Sequence, residues 1–272
     1  MLPDKIYAVY FSGTGTTKKT VTRIARRLAD GLGAAYEEYD YTLPDARQRA
    51  LTIPAGALAV VGCPTYAGRV PNLLMPYLRD MVRGGGALAL PVVLFGNRNY
   101  DDALMDLSQL LTAGGFTCVG GGAFVGEHSF SRTLGAGRPN GADEAEMDAF
   151  ADGLAAKLRA GDTAAVTVGG CDPIRPYYTP RDRHGSPINI LKVKPKTDMS
   201  KCGGCGWCAA HCPMGSIDPT DVSQVNGVCI KCCACVKGCP TGAKYFDDPG
   251  YLYHKSELEE VYARPAKNEV FL

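Results

Sequence analysis

Nine of the 12 cysteines fall between Cys202 and Cys239, and eight of them form two runs of identical spacing. The first is Cys202-x2-Cys205-x2-Cys208-x3-Cys212 before Pro213; the second is Cys229-x2-Cys232-x2-Cys235-x3-Cys239 before Pro240. Each cysteine of the first run recurs 27 residues later, as Gly215 recurs at Gly242, so the segment is an internal duplication expected to fold as two pseudo-symmetric copies. An iron–sulfur cubane needs four thiolates around one body; three can come from a tight loop, and the fourth must arrive from elsewhere in the chain. CxxC pairs also build zinc ribbons, but a third cysteine at x2 and a fourth at x3 before proline is not the paired knuckle spacing. A disulfide framework would call for a secretory signal, and Met1 to Phe11 lacks a basic region followed by a long apolar run. Cys233 is an extra: matching the two runs makes Cys232 the ligand and leaves Cys233 packed or free. Trp207 and His211, inside the first run, read as packing residues. Cys63 reads as a buried strand-end residue, and Cys118 and Cys171 have no evident partner.

A second chemistry is written near the N-terminus. Ser12-Gly13-Thr14-Gly15-Thr16-Thr17 follows an apolar run and leads into a helical pattern. Exposed N–H groups at a helix start attract an anion, small residues let the backbone approach it, and hydroxyls add hydrogen bonds. That is a phosphate site. A P-loop would need Gly directly before Lys and Ser or Thr, whereas Lys18 and Lys19 follow Thr17 here, and Lys18 stands where the dinucleotide GxGxxG pattern needs its third glycine.

The elements that must position these residues fall into two parts. From residue 5 to about 160, apolar runs alternate with amphipathic stretches, the pattern of a parallel sheet covered by helices. Strands are expected over Lys5 to Phe11, Ala35 to Tyr41, Ala57 to Cys63, Leu88 to Phe95 and Phe116 to Val125. Helices are expected over Thr17 to Gly31, Asn72 to Arg83, Tyr100 to Ala113 and Ala142 to Ala160, with Pro71 and Asp143 as start signals. Residues 161–197 carry Pro173, Pro176, Pro180, Pro187 and Pro195 and read as a linker wrapping over the first domain. Residues 198–248 turn to Cys, Gly and Lys, too short a segment for an apolar core, so clusters would staple it. The tail, 249–272, holds a helix candidate over Lys255 to Ala263. The expected organisation is therefore domain 1–160, linker 161–197, domain 198–248 and tail 249–272.

Two resemblances follow. The cysteine runs with their prolines resemble the bacterial two-cluster ferredoxins over about 50 residues. That resemblance implies a small α+β domain with two 4Fe-4S clusters whose fourth ligands cross over: Cys202, Cys205, Cys208 and Cys239 for one, Cys229, Cys232, Cys235 and Cys212 for the other. The N-terminal loop resembles the flavodoxin phosphate loop, Ser-x-Thr-Gly-x-Thr, at Ser12, Thr14, Gly15 and Thr17. It implies an α/β, flavodoxin-like, doubly wound five-stranded parallel sheet with FMN at the carboxyl ends of its strands. The FMN-binding residues implied are Ser12, Gly13, Thr14, Gly15, Thr16 and Thr17, with Pro64, Thr65, Tyr66, Ala67 and Gly68 after the third strand and Gly96, Asn97, Arg98 and Tyr100 after the fourth. Flavodoxins carry acidic ring loops; here Arg69 and Arg98 stand in them, and turned inward they would favour anionic reduced flavin and a less negative couple. Glu127 and His128, after the fifth strand, fall near the same edge. Together the chain resembles the bacterial fusions of a flavodoxin domain with a two-cluster ferredoxin.

FMN exchanges one or two electrons and each cluster one, so the expected function is electron transfer between FMN and the clusters, linking an external donor and acceptor. No residue need act as acid, base or nucleophile. The alternative is an FMN-dependent reductase of an organic substrate fed through the clusters. Hydrophobic residues at 46% and charged residues at 21% suit a folded chain, and a net charge of +1 gives no reason to expect a nucleic-acid partner. No run approaches the ~18 apolar residues of a membrane span, so membrane insertion is not expected and a cytoplasmic location is. The linker is compatible with clusters over the flavin of the same chain or of a second subunit in a homodimer.

Overall fold

The computed structural model describes residues 2–272. The alternating apolar runs form five parallel strands, β1 (Lys5–Tyr10), β2 (Ala35–Asp40), β3 (Ala57–Pro64), β4 (Leu88–Phe95) and β5 (Gly121–Val125). Their spatial order is β2-β1-β3-β4-β5, the flavodoxin-like winding, and a strand from the end of the chain, β6 (Glu269–Phe271), pairs antiparallel with β5. β3 is buried along nearly its whole length because both faces are covered, whereas β2, AYEEYD, is polar and lies at the sheet edge.

Period-2 alternation in β1 divides the core. Ile6, Ala8 and Tyr10 pack under α1 (Thr16–Leu32) and α4 (Gly141–Arg159) with Val21, Ile24, Phe150 and Leu154. Tyr7, Val9 and Phe11 face the opposite layer, α2 (Met75–Met81) and α3 (Ala103–Ala113), with Leu74, Leu78, Leu104 and Leu107. The second helix is thus shorter than the expected Asn72–Arg83, and the third starts at Ala103 rather than Tyr100, because Tyr100 is drawn into the core beside Phe95. α4 opens with a capping box in which the Asn140 side chain accepts from the Asp143 N–H and the Asp143 carboxylate from the Asn140 N–H.

The fifth expected strand, Phe116 to Val125, is interrupted. Thr117–Cys118 pairs with Leu88 and Ala89, and pairing resumes between Gly122 and Val92, so four residues advance against three. Pro91, which has no N–H to donate, lies in the gap, and the extra residue makes a bulge.

Residues 171–178 make contacts to the loops after β3 and before α3. The Cys171 and Arg175 N–H groups donate to the Asp102 carboxylate, Tyr177 Oη donates to Val70 O (2.8 Å), and the Tyr178 N–H donates to Ala67 O (2.8 Å). The small domain begins with Lys196–Thr197, paired antiparallel with Lys244–Tyr245, slightly before the expected boundary at residue 198. It holds two short helices, α5 (Trp207–Ala210) and α6 (Ala234–Lys237), in pseudo-equivalent places. Gly204 and Gly206 adopt φ of 68° and 67°, and at the same offset Lys231 and Cys233 are forced to φ 59°. The second copy keeps the bend at roughly 1–2 kcal/mol per non-glycine residue. The tail helix, α7 (Pro249–Val261), starts before the expected Lys255 because Asp248 caps it, accepting from the Tyr251 N–H at 2.9 Å.

Candidate functional site

β1 delivers the Ser12–Thr17 loop to the carboxyl edge of the sheet. Gly15, at φ 91°, makes the left-handed turn into α1, and Ser12 Oγ accepts from the Lys18 N–H (3.0 Å) to fix the loop. Among the described residues, the N–H groups of residues 13–17 have no protein acceptor. Five consecutive free donors at a helix start form a cradle for an anion. Gly13, Thr14, Thr16 and Thr17 line a cleft whose other walls are Pro64, Thr65 and Tyr66 from the end of β3, Gly96 from the end of β4, and Gly126, Glu127, His128 and Ser129 after β5. Thr65 Oγ1 is buried there without a partner, a donor left for a ligand. Free N–H groups and an orphaned hydroxyl in one cleft fit the phosphate end of a flavin nucleotide. The cleft opens to solvent and measures about 450 Å³ with its mouth counted.

His128 is held by burial, reinforced by the Lys237 charge, at a pKa near 3, and is therefore neutral. Its Nδ1 accepts from the Phe130 N–H (3.1 Å), which assigns the proton to Nε2. Its ring occupies the space of a side chain at residue 96: a Cβ on Gly96 would stand 2.3 Å from His128 Cδ2. Gly96 is therefore required.

Seven expected ring- and phosphate-loop residues do not line the cleft. Ser12 and Gly15 shape the loop from behind. Ala67 and Gly68, at φ 51° and 76°, form the tight turn between Tyr66 and Arg69, and the exposed Ala67 accepts at its carbonyl from the linker's Tyr178 N–H. Asn97 is spent on the tail: its Nδ2 donates to Tyr262 O and Arg264 O, and its Oδ1 accepts from the Ala266 N–H. Arg98 pairs with Asp101 and lies over the Tyr178 ring, and Tyr100 is buried and donates to Glu269. Arg69 likewise turns away, paired with Asp106 at 2.7 Å and lying over Tyr177. Each guanidinium has a carboxylate partner, which removes the physical ground for the expected shift in couple. Glu127 and His128, expected near this edge, do line the cleft with Gly126 and Ser129, and the run is held by the Gly126 N–H to Phe95 O, the Glu127 N–H to Arg138 O and the His128 N–H to Leu134 O.

The cysteine runs surround two separate voids. Cys202, Cys205, Cys208 and Cys239 line one; Cys212, Cys229, Cys232, Cys233 and Cys235 line the other. Among the described residues, no three His, Cys, Asp or Glu side chains converge as around a single bare ion. Four thiols around a space suit a polynuclear body. The copies also share N–H···S contacts: Ser216 N donates to Cys212 Sγ (3.3 Å) and Ala243 N to Cys239 Sγ (3.2 Å). Burial raises the Cys239 thiol, but hydrogen bonds from Thr241 and nearby N–H groups outweigh it and bring it to about 7. Cys233 Sγ points instead to Tyr251 Oη (3.4 Å) and Lys231 O (3.6 Å). Trp207 stacks on His211 at 4.1 Å and packs on Gly238, where a Cβ would stand 1.9 Å from the indole.

Residues 195–218 match the family model described as a 4Fe-4S binding domain. The chain joins a domain with the flavodoxin-like strand order to a segment that matches a 4Fe-4S binding domain. Among solved structures, rubredoxin oxygen:oxidoreductase from the anaerobe Desulfovibrio gigas is similar at 18% identity and a TM-score of 0.39, over 58% of this chain and 37% of that one. A flavodoxin from the domain Archaea (14% identity, TM-score 0.37) covers 57% of this chain and 99% of its own. A short-chain flavodoxin associated with a non-canonical PDU bacterial microcompartment (17%, 0.37) covers 58% and 99%. None of the curated proteins matches the chain. At these scores the likenesses carry no argument; the strand order does.

The 4Fe-4S domain rests directly on the flavodoxin-like domain. A Cβ on Gly13 would stand 2.9 Å from Cys232 Cβ and 3.3 Å from its Sγ, so the phosphate loop and a cysteine of the second run are in van der Waals contact. Ile230, Cys232 and Ala234 join the same apolar cluster as Tyr66. Burial, then the neighbouring Cys232, Cys233 and Cys229, holds the Tyr66 phenol well above its ordinary pKa and neutral. Lys237, between Cys235 and Cys239 in sequence, donates to Glu127 Oε1 (2.5 Å) and to His128 O (2.6 Å) across the contact. Among the described residues, no helix is long and apolar enough to cross a membrane.

Proposed function

We propose that the protein is an electron-transfer iron–sulfur flavoprotein that binds FMN and two 4Fe-4S clusters and moves electrons between them within one chain. The observation that carries this reading is the contact of Gly13 with Cys232, which leaves no gap between the phosphate loop and the second cysteine quartet. FMN would supply exchange of one or two electrons and the clusters exchange of one. The N–H groups of residues 13–17 would hold the phosphate, Thr65 Oγ1 would donate to the flavin nucleotide, and Tyr66 would wall the ring. Neutral His128, with its proton on Nε2, would offer a hydrogen bond without adding charge. The eight cysteines would divide as the two voids group them. The buried Cys232 and the half-buried Tyr66 packed beside it would narrow the path to water, while the exposed Cys205 puts the outer quartet within reach of an external redox partner.

Counting iron, acid-labile sulfide and flavin per chain in anaerobically purified protein tests the reading. It expects about eight iron, eight sulfide and one flavin; zinc in place of sulfide, or protein that takes up no FMN, contradicts it.

A further inference from the structure

The duplication contains a natural comparison at one position. Lys244 stands 27 residues after Ile217. Lys244 lines the void of Cys202, Cys205, Cys208 and Cys239, and Ile217 lines the void of Cys212, Cys229, Cys232 and Cys235. Lys244 is 3% exposed, and its Nζ donates to one carbonyl, Val222 O, at 2.5 Å. Among the described residues no carboxylate pairs with it, although Lys196 and Lys201, both exposed, pair with Asp247 and Asp198. An ammonium taken out of water without a counter-charge is strongly disfavoured. Four thiolates around an iron–sulfur core leave the assembly net negative and would supply that counter-charge. The Lys244 charge acts on Cys208 of this quartet and reaches Cys235 of the other as well.

We propose that Lys244 is the counter-charge of the outer cluster, held by Cys202, Cys205, Cys208 and Cys239, and that the Lys244/Ile217 difference sets the two cluster potentials apart. The outer cluster then accepts an electron at the higher potential, because a fixed positive charge favours the added negative one. Burial acts in the same direction, since Cys232 is buried and Cys205 exposed, and it outweighs the opposing charges of Lys231 and Lys194 beside Cys229. This inference rests on the two-cluster reading above.

The test is a potentiometric titration followed by electron paramagnetic resonance on anaerobically prepared full-length wild type, Lys244→Gln and Lys244→Arg, with iron and sulfide counted in each. Gln keeps a donor for Val222 O without the charge; Arg keeps the charge. Lys244→Gln should lower the higher cluster potential by about 59 mV or more, a tenfold change for a one-electron couple. The lower potential should move less, and Lys244→Arg should restore the split. Full iron with both potentials unchanged, or shifted equally, overturns the proposal and leaves the two-cluster reading standing. A wild type with iron for only one cluster overturns both. Should Lys244→Gln fail to hold the outer cluster, Ile217→Lys decides the matter: it must raise the lower potential, and no change there overturns the proposal.

Discussion

The two cysteine quartets share their spacing, their N–H···S contacts and their short helices, yet their surroundings are opposite. The quartet built on Cys202, Cys205 and Cys208 faces outward, with Cys205 exposed and a buried lysine beside the void. The quartet built on Cys229, Cys232 and Cys235 is pressed onto the phosphate loop, and burial raises the Cys232 thiol to about 12. Duplication supplies the ligand geometry, and the domain contact then makes one copy inner and the other outer. Sequence identity between copies therefore says what each can bind, and packing says what each can reach.

The sharpest way to break this comparison is to remove ligands singly. Cys232→Ser should lose about half of the iron, through the inner cluster, whereas the adjacent Cys233→Ser should keep all of it, since its sulfur faces Tyr251. Iron analysis of the two variants, prepared identically, reads this directly, and equal losses would mean the quartets are wrongly drawn. Next in size is Gly13→Val, whose side chain has to displace Cys232. Pushing the loop and the inner quartet apart should slow flavin–cluster electron exchange about tenfold or more in stopped-flow mixing and cost about 1–3 kcal/mol of stability. A control away from the cleft and both voids, Gly141→Val, meets open space and should change neither.

Lys237→Met tests the pair that fastens the two domains. Lys237 is mostly buried and bonded to Glu127 and His128 O, so its loss should cost about 1–3 kcal/mol in denaturant unfolding, and a cost near zero would make the pair ornamental. The smallest effect is in pH. The His128 pKa is lowered to about 3 in the folded chain, from an ordinary value near 6.5, so between those limits the unfolded chain binds the extra proton. The contribution of His128 is fully present above about pH 6.5 and is lost as pH falls toward 3. Its slope approaches about 1.4 kcal/mol per pH unit within that window. His128→Phe should flatten the dependence of the denaturant midpoint between pH 7 and 5 relative to wild type; an unchanged slope would show that His128 is already charged when folded.

Much of this was legible in the residues. The alternation of apolar and amphipathic stretches anticipated the five parallel strands, and the Ser12–Thr17 loop and the cysteine offset pointed to residues that meet in three cavities. What was not legible came from long-range contact. Asn97, Arg98 and Tyr100 follow a strand in the place ring-binding residues would take, but the tail and Asp101 claim them through Tyr262, Ala266 and Glu269, far away in sequence. The tail itself gave only a helical pattern. Its edge strand is too short to show a period, and it is held by Asn268, which accepts from the Val125 N–H and donates to Asp143. The interruption at Val119 and Gly120 could have been suspected from Pro91 in the neighbouring strand, because a proline inside a sheet has to be accommodated somewhere.

The most direct test of transfer inside one chain is the rate at which flavin becomes reduced once electrons have entered the clusters, followed optically over a tenfold range of protein concentration. A single first-order rate that is unchanged by dilution is the expected result. A rate that falls in proportion to concentration, or flavin that stays oxidised beside reduced clusters, would contradict it.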